Sequence, residues 1–150
     1  MRIELQIAQL NTARAEDQAD IFAALIESFV DINRRFLRTH SGTPRFYQSG
    51  ISFRETAVWQ DIPSMLATRY GDCKDFVGWR IAELREQGEE AQIHVVFTRA
   101  SNVLDVFHIQ IRRPSGEIED PTEMLRTEDP RKMPHSTGTP ILPPGVFRLR

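Results

Sequence analysis

From residue 16 onward the spacing of apolar residues in this 150-residue chain changes once, at Gly88, and that change restricts the fold to helices packed on an antiparallel sheet. Before Gly88 the repeat is helical. Over 16–38, Ala19, Phe22, Ala23, Ile26, Phe29, Val30 and Phe36 or Leu37 recur at steps of three and four. Glu16, Asp17 and Asp20 suit the positive pole of that helix, and Arg34, Arg35 and Arg38 its negative pole. Asp61-Ile62-Pro63 predicts a second, short helix to about Arg69, with Asp61 as its cap. A third begins at or beside Cys73 and runs to about Gln87. After Gly88 the repeat is two. Residues 91–99 and 104–112 are rich in Val, Ile and Phe around Ser101-Asn102, a β-hairpin pattern, and Glu117 to Asp120 offers a third strand. Residues 2–8 alternate as a further half-buried strand, and the aromatic stretch 46–59 reads as loop.

The expected architecture is therefore α+β, with N-terminal helices and a central Cys-bearing helix packed on a small antiparallel sheet. The length fits one domain over 1–150, and from Pro121 onward the prolines predict an irregular, extended tail. Nineteen Lys and Arg against 21 Asp and Glu leave a net charge of -2 with no basic tract, which argues against nucleic acid as a partner. No stretch has the apolar length needed to cross a bilayer, and no signal peptide is evident, so a cytoplasmic location is expected. The single cysteine rules out an internal disulfide and a Cys-rich metal site.

That cysteine opens the third helix. Cys73, Val77, Ile81 and Leu84 share one face, so the face that packs on the sheet also carries the thiol. Free N–H groups and the helix dipole at that end favour thiolate, as Lys74 does; Asp72 and Asp75 oppose it. Gly71 allows a tight turn and close approach of a substrate backbone. Taken alone, a single Cys is more often a small buried hydrophobe. A thiol nucleophile needs a base, and the base an orienting partner. His108 lies mid-strand on the face of Leu104, Val106 and Gln110, where an imidazole is costly unless something bonds it. Asp120, before Pro121, ends the next strand, and neighbouring antiparallel strands can set its carboxylate beside the ring. By themselves these two read as a satisfied core histidine and a turn starter.

Together the three form a pattern. Tyr70-Gly71-Asp72-Cys73-Lys74-Asp75-Phe76 resembles the nucleophile segment of transglutaminase-like proteins, and 82–91 their helix end and passage into the sheet. His108 matches the family's second catalytic position, and Glu117-Ile118-Glu119-Asp120-Pro121-Thr122 the segment that supplies the Asp. The resemblance covers about 59–122. It implies a papain-like fold and acyl transfer through a thioester, with Cys73 as nucleophile, His108 as base and Asp120 orienting the base. A protein or peptide substrate is implied, and no cofactor or metal. Residues 46–51, 59–63, 71–73 and 77–85 further resemble small transglutaminase-like proteins of tailed phages and prophages, which makes phage structural proteins candidate partners and a virion a second candidate location. One departure is that Ile109-Gln110 follow the His, where the wider family often has Ala-Trp.

Oxyanion donors are sought in the Cys73 backbone N–H and in Gln60 or Trp59, with Tyr70 a further cleft candidate. The competing reading packs Trp59 and Tyr70 in the core and uses Gln60 to cap a turn. His40, His94 and His135 lack any metal-binding pattern. A rival to the enzyme is a catalytically silent member of the same fold, serving as a binding or phage-assembly protein.

Overall fold

The computed structural model describes residues 1–4, 15–100, 104–127 and 147–148. In chain order they form β1 (Arg2–Glu4), α1 (Ala15–Thr39), a 3-10 turn (Phe46–Gln48), β2 (Ser52–Phe53), β3 (Val58–Gln60), α2 (Ile62–Thr68) and β4 (Tyr70–Gly71). Then come α3 (Cys73–Glu86), β5 (Gln92–Ala100), β6 (Leu104–Arg112), β7 (Ile118–Glu119), α4 (Pro121–Thr127) and β8 (Phe147–Arg148). The class is α+β. Three expectations fall outside the described residues: the strand beyond Glu4, the turn at Ser101-Asn102, and the tail at 128–146 with His135.

The main sheet is antiparallel. β5 pairs with β6 from Gln92↔Arg112 to Ala100↔Leu104, which puts Val96 opposite His108. On its other edge β6 meets two short partners. β7 pairs at Ile111↔Glu119 and Arg112↔Ile118, and β8 at Val106↔Arg148 and Phe107↔Phe147. Among the described residues, positions 108–110 are left without a strand on that edge.

The alternation of β6 divides its roles. Ile109 and Ile111 turn to the helices and join a core with Phe22, Ile26, Phe29 and Val30 of α1 and Val77, Ile81 and Leu84 of α3. His108 and Gln110 take the opposite face. The predicted stripe of α3 is thus in the core, but its other side is covered too. Phe76 and Trp79 pack with Phe46, Ile51, Ile62 and Met65 in a second cluster. Trp79 anchors there, its Nε1 donating to Glu83 at 3.1 Å. α3 is a central helix, buried on both sides.

Two expectations are corrected. The aromatic stretch 46–59 is not plain loop: β3 pairs antiparallel with β1, and β2 pairs parallel with β4. These short strands close over the end of α3 that begins with Cys73. The tail does not begin irregularly at Pro121 either, because 121–127 form α4. Asp120 Oδ1 accepts the Thr122 and Glu123 N–H groups, both at 3.1 Å, and Pro121 sits in the first turn, where its missing N–H costs nothing.

Candidate active site

Cys73 is the first residue of α3, and its sulfur is fully buried. The Ile109 N–H donates to it. Ile109 lies in the stretch of the β6 edge that has no partner strand among the described residues. The bond sets the sulfur one peptide unit from the Cα of His108.

The base and its partner are in direct contact. Asp120 directly follows β7, whose last pair is Ile111↔Glu119, so the chain leaves the sheet beside Gln110 and His108. His108 Nε2 and Gln110 Nε2 both bond Asp120 Oδ2, the latter at 3.1 Å. The carboxylate is held from two sides, by α4 through Oδ1 and by β6 through Oδ2. Burial pushes its pKa up, but the bonds from His108 and Gln110 win and hold Asp120 below the ordinary value. His108 Nδ1, the ring's other nitrogen, is buried with no hydrogen-bond partner among the described residues. A buried, unsatisfied imidazole nitrogen is uncommon in a folded protein and calls for an explanation.

The start of α3 carries a buried charge cluster. Lys74 Nζ bonds Asp72 Oδ2, donates to the Thr56 carbonyl at 2.9 Å and lies 3.8 Å from Asp75 Oδ2. Its ammonium also stands 5.5 Å from the Trp59 ring centre. Asp72 Oδ2 accepts the Thr56 N–H at 3.3 Å, while Asp75 accepts the N–H groups of Gln60 at 2.9 Å and Asp72 at 3.2 Å. The last bond reaches back to the cap residue of the helix.

These charges act on the thiol as their signs require. Burial raises the Cys73 pKa most, Asp72 adds to the rise, Lys74 and the Ile109 N–H oppose it, and Asp75 adds again. The balance is a raised pKa, so burial overrides the acidifying effect expected of a helix start.

Gln60 is fully buried, and its side chain is engaged. Nε2 donates to the Tyr70 carbonyl at 3.1 Å, and Oε1 accepts from Thr68 Oγ1 at 3.0 Å. The Gln60 side chain also bonds Asp75, so its amide is taken up by protein partners. Trp59 stacks with Phe22 at 6.3 Å and Phe29 at 5.7 Å inside the core that also holds Cys73. Tyr70 is half-buried, with the Arg54 guanidinium 4.8 Å over its ring and Arg2 donating to its hydroxyl at 3.4 Å. Gly71 is glycine for a reason other than substrate approach: a Cβ there would meet Met65 Sδ and Phe76 Cε1 at 3.0 Å.

Two features were not foreseen from the sequence. Gln110 is a second donor to Asp120, and strand alternation alone places it there. Glu119 is a buried hub that accepts from Tyr47, from Arg80 at 2.7 Å and from Arg113, which joins β7 to α3 and the 3-10 turn. Nothing in the local sequence marks it. Among the described residues no three His, Cys, Asp or Glu side chains gather as a metal site would require, and no helix is long and apolar enough to cross a membrane. No family model matches the chain, and no curated protein or solved structure does so either.

Proposed function

We propose that the chain is a thiol-dependent acyl-transfer enzyme of the papain or transglutaminase-like type, a peptidase, amidase or transamidase acting on a protein or peptide. Cys73 is its nucleophile, His108 its base and Asp120 the positioning carboxylate. One observation carries this reading: His108 gives Nε2 to Asp120 and keeps Nδ1 buried and unbonded, while the neighbouring Ile109 N–H holds the Cys73 sulfur. Asp120 fixes the tautomer with the proton on Nε2, which leaves Nδ1 as the acceptor a thiol base needs.

The steps follow from that arrangement. Because burial keeps the thiol protonated, its proton passes to Nδ1 as the sulfur attacks the carbonyl carbon of an amide or ester. The C–S bond forms while the carbonyl π pair moves to oxygen. The Cys73 N–H, in the first helical turn, is the candidate stabiliser of that oxyanion. The leaving amine or alcohol takes the proton from Nδ1 as its bond to carbon breaks, leaving a thioester. Water or an acceptor amine then gives a proton to Nδ1 and attacks the thioester. The sulfur leaves and is reprotonated.

An activated ester such as p-nitrophenyl acetate tests this. The expected result is one acetyl group on Cys73, with a rate about 100-fold lower or less still in a folded His108→Ala variant. Equal acylation with and without the imidazole removes the enzyme reading.

The second reading, a catalytically silent fold used for binding or phage assembly, is favoured by one observation. The sulfur is fully buried and its pKa is raised, as in a structural cysteine. The same assay separates the two, since a silent fold leaves the ester untouched.

A further inference from the structure

We infer that Lys74 and Asp72 form a positioning pair for the nucleophile, pinning residues 54–57 across the start of α3 and setting the net charge that the Cys73 sulfur meets. The inference rests on the acyl-transfer reading for its purpose, but not for its test.

The geometry comes first. Lys74 is 2% exposed and Asp72 1%, an uncommon depth for either residue type. A buried ion pair of this kind is weak evidence for stability, because desolvation cancels much of the attraction. The pair holds both backbone polar groups of Thr56, the carbonyl through Lys74 Nζ and the N–H through Asp72 Oδ2. Arg54 N–H donates to the Gly71 carbonyl at 2.8 Å, which anchors the same segment one residue before Asp72. The segment therefore lies across the residues that lead into Cys73, and its position depends on the pair.

The charge count comes second. Asp72, Lys74 and Asp75 flank the sulfur at the start of its own helix, with a formal charge of -1 when both carboxyls are ionised, although burial raises the pKa of each. From β6 the Ile109 N–H bonds the sulfur, and the titratable groups next to it in the chain are His108 and, bonded to it, Asp120. The residues of α1 and β3 in the core around Cys73 are apolar, Phe22, Ile26, Phe29, Val30 and Trp59 among them. The thiol thus meets one compensated carboxylate and one in excess. Removing Lys74 would present it with two, whereas removing the Asp72 charge would present it with none in excess. The directions of the electrostatic effects on Cys73 agree: Asp72 disfavours the thiolate and Lys74 favours it.

The test is the pH dependence of Cys73 alkylation by iodoacetamide in the whole chain, for the parent and for Asp72→Asn, Lys74→Met and the double variant. Asn caps a helix as well as Asp does, so Asp72→Asn keeps the start of α3. It should lower the midpoint and speed alkylation at neutral pH about tenfold. Lys74→Met should slow alkylation about tenfold, and the double variant should return toward the parent. Tryptophan fluorescence reports folding, and if Lys74→Met does not fold, the single Asp72→Asn and the double variant decide. Midpoints that coincide in the parent and Asp72→Asn overturn the inference. A His108→Ala control keeps the two claims apart. If it leaves the alkylation rate unchanged while Asp72→Asn shifts it, the acyl-transfer reading fails and the charge device stands.

Discussion

Asp120 has two tasks, and an Asn at that position can perform only one of them. Oδ1 accepts two N–H groups at the start of α4, and Oδ2 bonds His108 and Gln110. An Asn has a single carbonyl oxygen. If that oxygen stays at the cap, the NH2 group faces Nε2, forces the ring proton to Nδ1 and abolishes the acceptor. If it faces His108 instead, the cap is lost. A cap is worth about 1 kcal/mol and a charge-assisted hydrogen bond about 1.5–3 kcal/mol. Asp120→Ala, which loses both, should cost about 3 kcal/mol, or roughly 6–12 °C in Tm for a chain of this length. Asp120→Asn should cost only about 1 kcal/mol, yet lower the acylation rate about 1,000-fold or more, as expected for the wrong imidazole tautomer. Urea unfolding followed through the two tryptophans, both buried, measures the first quantity and p-nitrophenyl acetate the second. The Asp120 pKa is lowered in the folded state, so its stabilisation is present above the unfolded value of about 3.9 and is lost as pH falls through the folded value. The difference between parent and Asp120→Ala should therefore shrink in acid. An Asp120→Asn variant that keeps full stability and full acylation refutes the reasoning.

The remaining predictions concern packing and buried polar groups. Glu119→Ala strands Arg80 and Arg113 without their shared carboxylate and should cost about 3 kcal/mol in urea, with Glu119→Gln milder. Gly71→Ala drives a methyl group against Met65 and Phe76 and should cost about 1–3 kcal/mol. Burial and the bond to Glu119 raise the Tyr47 pKa, so in a Tyr70→Phe variant, with Tyr47 the sole tyrosine, phenolate absorbance should be absent at about pH 11 while the chain stays folded. Because that shift is upward, its stabilisation is present below the unfolded tyrosine value of about 10 and disappears as pH rises; a phenolate signal near pH 10 in the folded protein would contradict it.

The mixed helix-and-sheet class, the three helices before Gly88 and the β5–β6 hairpin were legible in the sequence because each rests on a periodicity that one face of a core imposes. Asp61 was legible as the cap of α2 by its place before Ile62-Pro63, and its Oδ1 accepts the Ser64 N–H at 3.1 Å. α4 was not legible, because Asp120-Pro121 serves equally as a turn and as a helix start, and only the bonds from Thr122 and Glu123 decide. The second burial of α3 was hidden as well. Phe76 and Trp79 are off the stripe through Cys73, and their partners Phe46 and Met65 lie in segments too short to show a repeat. At the site, strand alternation sufficed to suggest that His108 and Asp120 could meet. The Lys74–Asp72–Thr56 bonds were out of reach, since the sequence shows a charged Gly-Asp-Cys-Lys-Asp string that composition alone would assign to solvent. The net direction of the thiol pKa was not legible for the same reason: the sequence shows a helix start, and it does not show the depth of its burial.

The Ile109 N–H of β6 donates to the Cys73 sulfur, and this couples the thiol's chemistry to the integrity of the sheet. Any adduct on Cys73 is larger than the slot it leaves, so modification must either swing the side chain outward or part the strand from its neighbours. Once vacated, the Ile109 amide becomes a bare edge donor, the kind of group that invites pairing with another chain.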